Sequence, residues 1–241
     1  IWHDGQSLWL PVVEKFPGKV HHAHANLATF HFQEGQLEKA ESQLKIALKI
    51  QPDEVDSLFY LGMIYTDQGR LAEARDVLQK ALRINAEDER VLYRLGVLHE
   101  KSGQADLAQN EYQKALGLNP ELETVRLRLG QLYSKTGQIQ KAEEQFNKVL
   151  ELDAESEGAR NHLGALYYQT GRFQDAETEY LRVIKAWPQK MRAYNNLGVL
   201  YYETKKFTEA EKIFQKVLGM DPNHIDAKNN LGMLYLQMNK K

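Results

Sequence analysis

The stretch Tyr194-Asn195-Asn196-Leu197-Gly198-Val199-Leu200-Tyr201 decides the fold, because its central dipeptide returns along the whole chain. Leu163-Gly164, Leu129-Gly130, Leu95-Gly96 and Leu61-Gly62 precede it and Leu231-Gly232 follows, each 34 positions from the next. One more step back stands Leu27-Ala28. A fixed period in the range of roughly 20–50 residues marks stacked supersecondary units, none of which can bury its apolar face alone. Four residues after each leucine, on the same helical face, comes Tyr65, Tyr133, Tyr167 or Tyr201, with His31 and His99 in the other two units.

The rest of the unit reads as a helix pair. Gly35, Gly69, Gly103, Gly137 and Gly171 supply the left-handed residue that ends a first helix. Lys205 breaks this column, so the sixth turn is expected to be strained or differently built; Asn239 follows it in the seventh. Ala40, Ala74, Ala108, Ala142, Ala176 and Ala210 give the second helix a small contact point for its partner. Pro52, Pro120, Pro188 and Pro222 stop it. The spacing predicts six units at 21–54, 55–88, 89–122, 123–156, 157–190 and 191–224.

Both ends depart from the pattern. Leu8, Trp9, Val12, Val13 and Phe16 form one apolar helical stripe within residues 1–20, with Ser7 as the expected N-cap. Pro11 should kink this helix or restart it, and Pro17-Gly18 should end it. Its expected role is to cover the open face of the first unit. Residues 225–241 supply only the first helix of a seventh unit, whose apolar face (Ala227, Leu231, Leu234, Tyr235) lacks a second helix. Truncation or self-association through that face is expected. The chain opens on Ile1, which reads as a segment of something longer.

Composition excludes several classes. With 31 Lys+Arg against 33 Asp+Glu the net charge is −2, so no basic field advertises nucleic acid. No cysteine is present, which removes disulfides, thiolate metal sites and cysteine catalysis. No apolar run is long enough for a membrane span. No phosphate loop, nucleophile elbow or metalloprotease helix occurs, so neither an enzyme nor a cofactor is expected. His21-His22-x-His24 is weighed as a metal site and rejected for want of further ligands; His24 and His31 read instead as core residues.

These columns resemble the tetratricopeptide repeat over residues 21–241. The resemblance implies an all-α, right-handed superhelical solenoid of antiparallel helix pairs, with first helices lining a concave groove. It also implies that positions 2, 5, 6, 9, 12 and 13 of each first helix face that groove. A second, shorter resemblance lies in Trp2-His3-Asp4, Leu8-Trp9 and Phe16-Pro17, similar to the junction between membrane region and exported repeats in bacterial glycosyltransferase-like proteins. It implies an accessory domain outside the cytoplasmic membrane; a cytoplasmic location is the alternative.

On the implied groove positions stand three sets of candidates for a peptide-binding surface. Asn26, Asn161, Asn195, Asn196, Asn229 and Asn230 are poor helix-interior residues, and their amides can clasp a peptide backbone, as the repeats of O-linked N-acetylglucosamine transferases do. Consensus preference at these positions is the competing account. Arg90, Arg94, Lys101, Arg128 and Lys135, with Gln131 among them, make a basic centre suited to an acidic segment. It resembles the carboxylate clamp of chaperone-binding repeats, though Ala25 and Thr29 stand where the clamp has Lys and Asn. A merely solvated charged face is the alternative. Phe59, Met63, Tyr93, Tyr168 and Tyr202, with Phe32, Tyr60 and Met233, are apolar anchors. The expected function is a non-catalytic scaffold for a protein or peptide partner.

Overall fold

The computed structural model describes residues 5–16 and 18–238. Among these every regular element is an α-helix. A first compact unit, residues 1–120, holds α1 (Gly5–Lys15), α2 (His21–Gln33), α3 (Leu37–Ile50), α4 (Val55–Asp67), α5 (Leu71–Ile84), α6 (Glu89–Lys101) and α7 (Ala105–Leu118). A second, residues 121–241, holds α8 (Glu123–Lys135), α9 (Ile139–Leu152), α10 (Glu157–Gln169), α11 (Phe173–Ala186), α12 (Met191–Glu203), α13 (Phe207–Met220) and α14 (Ile225–Met238). Even-numbered helices from α2 onward begin 34 residues apart, as 21, 55 and 89 illustrate.

The turns inside each pair follow from their glycines. Gly35, Gly69, Gly103, Gly137 and Gly171 hold φ between 71° and 76°. The next residue's N–H reaches back to close the turn, as in Arg70 N to Tyr65 O at 2.8 Å and Gln104 N to His99 O at 2.8 Å. Lys205 adopts the same left-handed backbone, φ 61°, and Lys206 N makes the same 2.8 Å bond to Tyr201 O. The sixth turn is therefore built like the others, and the strain sits in one residue. Lys205→Gly should raise stability by about 0.5–1 kcal/mol, after allowing for glycine's freer unfolded chain. An unchanged thermal melt would mean that the left-handed geometry costs this turn nothing.

Close approach within each pair depends on a second glycine column. A methyl group added at Gly62, Gly96, Gly130, Gly164 or Gly198 would lie 2.3–2.5 Å from Leu78, Tyr112, Phe146, Tyr180 or Phe214 respectively. Each of these side chains comes from the partner helix and is almost wholly buried. The six alanines expected at the helix contact are fully buried too.

Within each unit, successive first helices touch (α2 with α4, α4 with α6; α8 with α10, α10 with α12, α12 with α14). Successive second helices do not pack on one another among the described residues. The first helices therefore take the inside of each unit's curve. Ties on the other side join one pair to the next. Tyr167 Oη donates to Glu143 at 2.8 Å, and Arg172 meets the same carboxylate at 3.0 Å while lying 4.0 Å over the Tyr167 ring. Burial, followed by that carboxylate, pushes the Tyr167 phenol up to about 12. Tyr201, Glu177 and Lys206 repeat the arrangement at 2.7 and 2.9 Å.

The ends show differences from expectation. The first helix is already under way at Gly5, so Ser7 lies within α1 and is no N-cap, and Pro11 stands inside an unbroken helix. Trp9, Leu10, Val12 and Val13 pack on Ala23, Leu27 and Phe30. Trp2-His3-Asp4, Pro17 and Asn239 lie outside the described residues. On α14, Ala227 and Leu234 are buried, but Ile225 is 72% exposed and Leu236 66%. Among the described residues no helix is long and apolar enough to cross a membrane.

Candidate functional site

In the first unit the inner face carries a cleft of about 280 Å³ whose lining includes His22, Asn26, Thr29, Asp56, Tyr60 and Arg90. Asn26 is exposed there. Phe59 lies half-buried under the Arg90 guanidinium, 5.1 Å from its ring centre, and meets Tyr60 edge-on at 5.5 Å. Phe32 closes on Tyr60 at 5.7 Å. Tyr93 packs on buried Tyr112 at 5.9 Å, and Arg94 lies 5.5 Å over Tyr93.

Two of the candidate cations of this unit, Arg90 and Lys101, are already engaged. Arg90 binds Asp88 at 2.8 Å and Asp56 at 2.9 Å. Lys101 donates to Thr66 O at 2.9 Å and lies 3.4 Å from Asp67. Asp56 and Asp67 thus lie against two of the groove's bases. Met63 is a correction: at 9% exposure it belongs to the core and is not an exposed anchor.

Asp88 explains the position of Arg90. It caps α6 by accepting from Arg90 N at 3.0 Å and Val91 N at 3.3 Å. Burial opposes its ionisation, but the Arg90 side chain and these two amides outweigh that and hold the carboxyl below the usual range. Because the folded value is depressed, this contribution is present above the unfolded value of about 3.9 and is lost as pH falls through the folded one. Asp88→Ala should cost about 1–2 kcal/mol at neutral pH, with the difference from wild type shrinking in acid. Urea melts at two pH values check both statements.

In the second unit the inner face differs. A cleft of about 290 Å³ is lined by Thr124, Leu127, Arg128, Gln131, His162 and Arg192, without a carboxylate among them. His162 stacks on Phe146, 5.4 Å between ring centres and 21° between planes. Gln131 Nε2 lies 2.6 Å from His162 Nε2, so the amide donates and the imidazole accepts. Burial, then Arg192 and Arg128, push the His162 pKa down to about 4, leaving the ring neutral at physiological pH. Beside it a cleft of about 570 Å³ is lined by Met191, Arg192, Asn195, Asn196, His224 and Asp226, among others. Asn230 Nδ2 donates to Asn195 Oδ1 at 3.2 Å, and Asn229 is exposed.

Other candidates distribute as follows. Tyr168 and Tyr202 are half-buried, each about 6.0 Å from a second-helix ring, Phe173 and Phe207. Lys135 is exposed, on the turn of α8 where Ser134 bonds Gln169 at 3.0 Å. Asn161 is a correction, being only 1% exposed with its amide given to Glu157 at 3.2 Å. One turn earlier Gly158 admits Leu127 so closely that a methyl group there would sit 2.8 Å from it. Asn161 is thus buried and not on the open surface.

The His21 and His22 rings lie 3.7 Å apart, and His24 is buried with Nδ1 on Gln43 at 2.6 Å. Among the described residues no group of three or more His, Asp or Glu side chains is placed to hold a metal ion. A hollow of about 470 Å³ on the second-helix side is a seam whose charges are joined, Arg172 to Asp175 and Lys206 to Glu177. Thr124, His162 and Arg192 line the cleft of about 290 Å³ but were not among the candidates read from the sequence. Their signal was positional, since Arg192 occupies the place of Arg90 in its unit, and His162 that of Arg94 and Arg128.

The sequence matches the family model described as the cilia and flagella-associated protein 70 C-terminal domain over residues 19–163. A tetratricopeptide-repeat model matches residues 161–225. No curated protein matches the chain. Among solved structures it is similar to PilW, a widely conserved type IV pilus biogenesis factor, with a TM-score of 0.79 and 16% identity over 88% of this chain and 98% of that one. The APC/C hetero-tetramer Cut9–Hcn1 gives 0.76 and 16%, over 95% of this chain but 45% of that one, so this chain spans less than half its length. YrrB, a TPR protein with an unusual peptide-binding site, gives 0.53 and 22%, over 92% and 96%. These likenesses establish the fold, and the longer family match covers more than half of the sequence. The chain therefore belongs to the tetratricopeptide-repeat proteins, in the family of the cilia and flagella-associated protein 70 C-terminal domain.

Proposed function

We propose that the chain is a non-catalytic protein–protein interaction scaffold that holds a peptide segment of a partner along its first helices. Repeat arrays of this kind owe their use to extended inner surfaces. The observation that carries the reading is the pair Asn195 and Asn196, half-exposed in mid-helix and lining an inner cleft of about 570 Å³. Asn in a helix interior costs up to ~0.7 kcal/mol against Ala, so two in succession sacrifice local stability. Their amides offer donors and acceptors suited to peptide backbone. YrrB, of the same fold, has a peptide-binding site, which agrees with this use of the surface.

The test begins with a partner captured from native lysate and identified, then bound in purified form. Asn195→Ala with Asn196→Ala should weaken that binding by about tenfold or more, the size of two lost hydrogen bonds, while helicity is kept. A variant of the outer surface, Arg182→Ala, should bind as wild type. Equal binding by all three proteins would sink the groove reading.

A further inference from the structure

The inner cleft of the first unit, between α2, α4 and α6, is lined largely by hydrogen-bond acceptors. Thr29 on α2 gives its hydroxyl hydrogen to Ala25 O at 3.0 Å and keeps its lone pairs, with Asn26 exposed beside it. Across the cleft Glu54 caps α4, accepting from Ser57 N at 2.8 Å through Oε2 and leaving its other oxygen for a guest. Ser57 lines the same cleft and is wholly buried, yet its Oγ has no hydrogen-bond partner. A buried hydroxyl is rarely left so, because it forfeits its bonds to water for nothing. Arg90 is the guanidinium of the lining, and it is shared between Asp56 at 2.9 Å and Asp88 at 2.8 Å. With Glu54, three carboxylates therefore stand against one guanidinium.

We infer that this cleft is a cation-recognition site, which takes the ammonium or guanidinium group of a basic side chain between Glu54, Asp56 and the Ser57 hydroxyl. The inference rests on the peptide-holding reading only for what delivers the cation, a lysine or arginine of the bound segment.

Chemistry and size agree on this guest. An ammonium carries three donors and a guanidinium five, and neither has an acceptor, which complements a lining rich in acceptors. The volume of about 280 Å³ lies just under the roughly 300–1,000 Å³ of small-molecule pockets, a scale that suits one long side chain. Among the described residues no three His, Asp or Glu side chains are placed to hold a metal ion, so the set favours an organic cation. Tyr60 offers its ring to the cation or to the methylene stem behind it. Arg90 remains held by Asp88, and only its bond to Asp56 competes with the guest. Ser57 Oγ gains the hydrogen bond that it lacks in the free protein.

The whole chain is titrated with N-acetyl-lysine methylamide and N-acetyl-arginine methylamide, and with the uncharged N-acetyl-norleucine methylamide, followed by NMR at the backbone amides. Saturable shifts over residues 22–29 and 54–60 are expected with the two cations and not with norleucine, and they should weaken as salt is raised. Ser57→Ala should weaken binding about tenfold without lowering the thermal melt, since the hydroxyl removed is unbonded in the free protein. Glu54→Gln with Asp56→Asn should also weaken it about tenfold or more. The glutamine amide oxygen can still cap Ser57 N, and circular dichroism confirms that both variants are folded. Response to both cations assigns the site to basic side chains at large; response to one assigns it to that head group. Shifts shared by norleucine, or untouched by either variant, overturn the proposal, and so does a melt that Ser57→Ala lowers. The probes need no partner, so failure here leaves the peptide reading standing, and a partner indifferent to the Asn195/Asn196 variant would leave the cation site standing.

Discussion

Phe146→Ala should lower stability by about 3–5 kcal/mol and, in the same protein, release His162 toward an ordinary titration near 6.5. Phe146 is 1% exposed, fills the space that Gly130 leaves open, and forms the apolar surface on which the His162 ring lies. Truncation leaves a ring-sized void at the centre of the α8/α9 pair, where neighbours can close only in part. It also lets water reach the imidazole, removing the burial that contributes most to its low pKa. The wild type has a matching pH signature. A histidine whose folded pKa is depressed binds its proton more readily when unfolded, so stability falls as pH drops from about 6.5 to about 4. That loss should be smaller in His162→Gln. Denaturant melts and imidazole NMR decide the matter. A cost below ~1 kcal/mol, or a His162 titration unmoved by the loss of Phe146, would mean that the ring is not sealed as described.

The second large effect is a contrast between two substitutions of one kind. Gly96→Ala should destabilise by about 2–3 kcal/mol, although alanine is the better helix former by up to ~1 kcal/mol. The new methyl group would lie 2.3 Å from the ring of Tyr112, which is fully buried and held by its 2.5 Å bond to Glu100. It has nowhere to retreat. Gly232→Ala, at the equivalent place on α14, meets no atom within 4 Å and should stabilise by about 0.5–1 kcal/mol. Melts of the two variants should move in opposite directions. Shifts of the same sign would remove the close approach of paired helices as the reason for this glycine column.

How much of this was legible in the sequence depends on how far each residue's partners lie. The left-handed glycines, the Ala contacts and the Leu-Gly column act within a single helix pair, and the period displays them directly. Lys205 was visible as an exception, but its resolution was not, because a lysine can accept the left-handed backbone when the bond from Lys206 N to Tyr201 O holds it. The site was harder to read for a physical reason. Exposure on the inner face is set by side chains from the next pair, about one period away. Asn161 and Asn195 occupy the same place in the period, yet Leu127 closes over Gly158 beside the first while the second opens on a cleft. Arg90 looks like an open base in the sequence, and only the fold brings Asp56 and Asp88 onto it. His162, half-buried and neutral, was missed because its signal is its place in the period and not its charge.

The pairing of glycine hole with bulky knob has a consequence for how such a chain can change length. Gly96 and Tyr112, or Gly164 and Tyr180, belong to the same hairpin, so a duplicated or deleted hairpin carries both halves of its own fit. What crosses to the neighbour is an apolar core, in which Leu44, Leu61, Leu78 and Leu95 belong to one buried cluster, together with polar ties such as Tyr201 to Glu177. Because that core recurs with the period, gene segments coding for whole hairpins can be copied or lost with matching faces at the new join, and the inner surface lengthens or shortens in step.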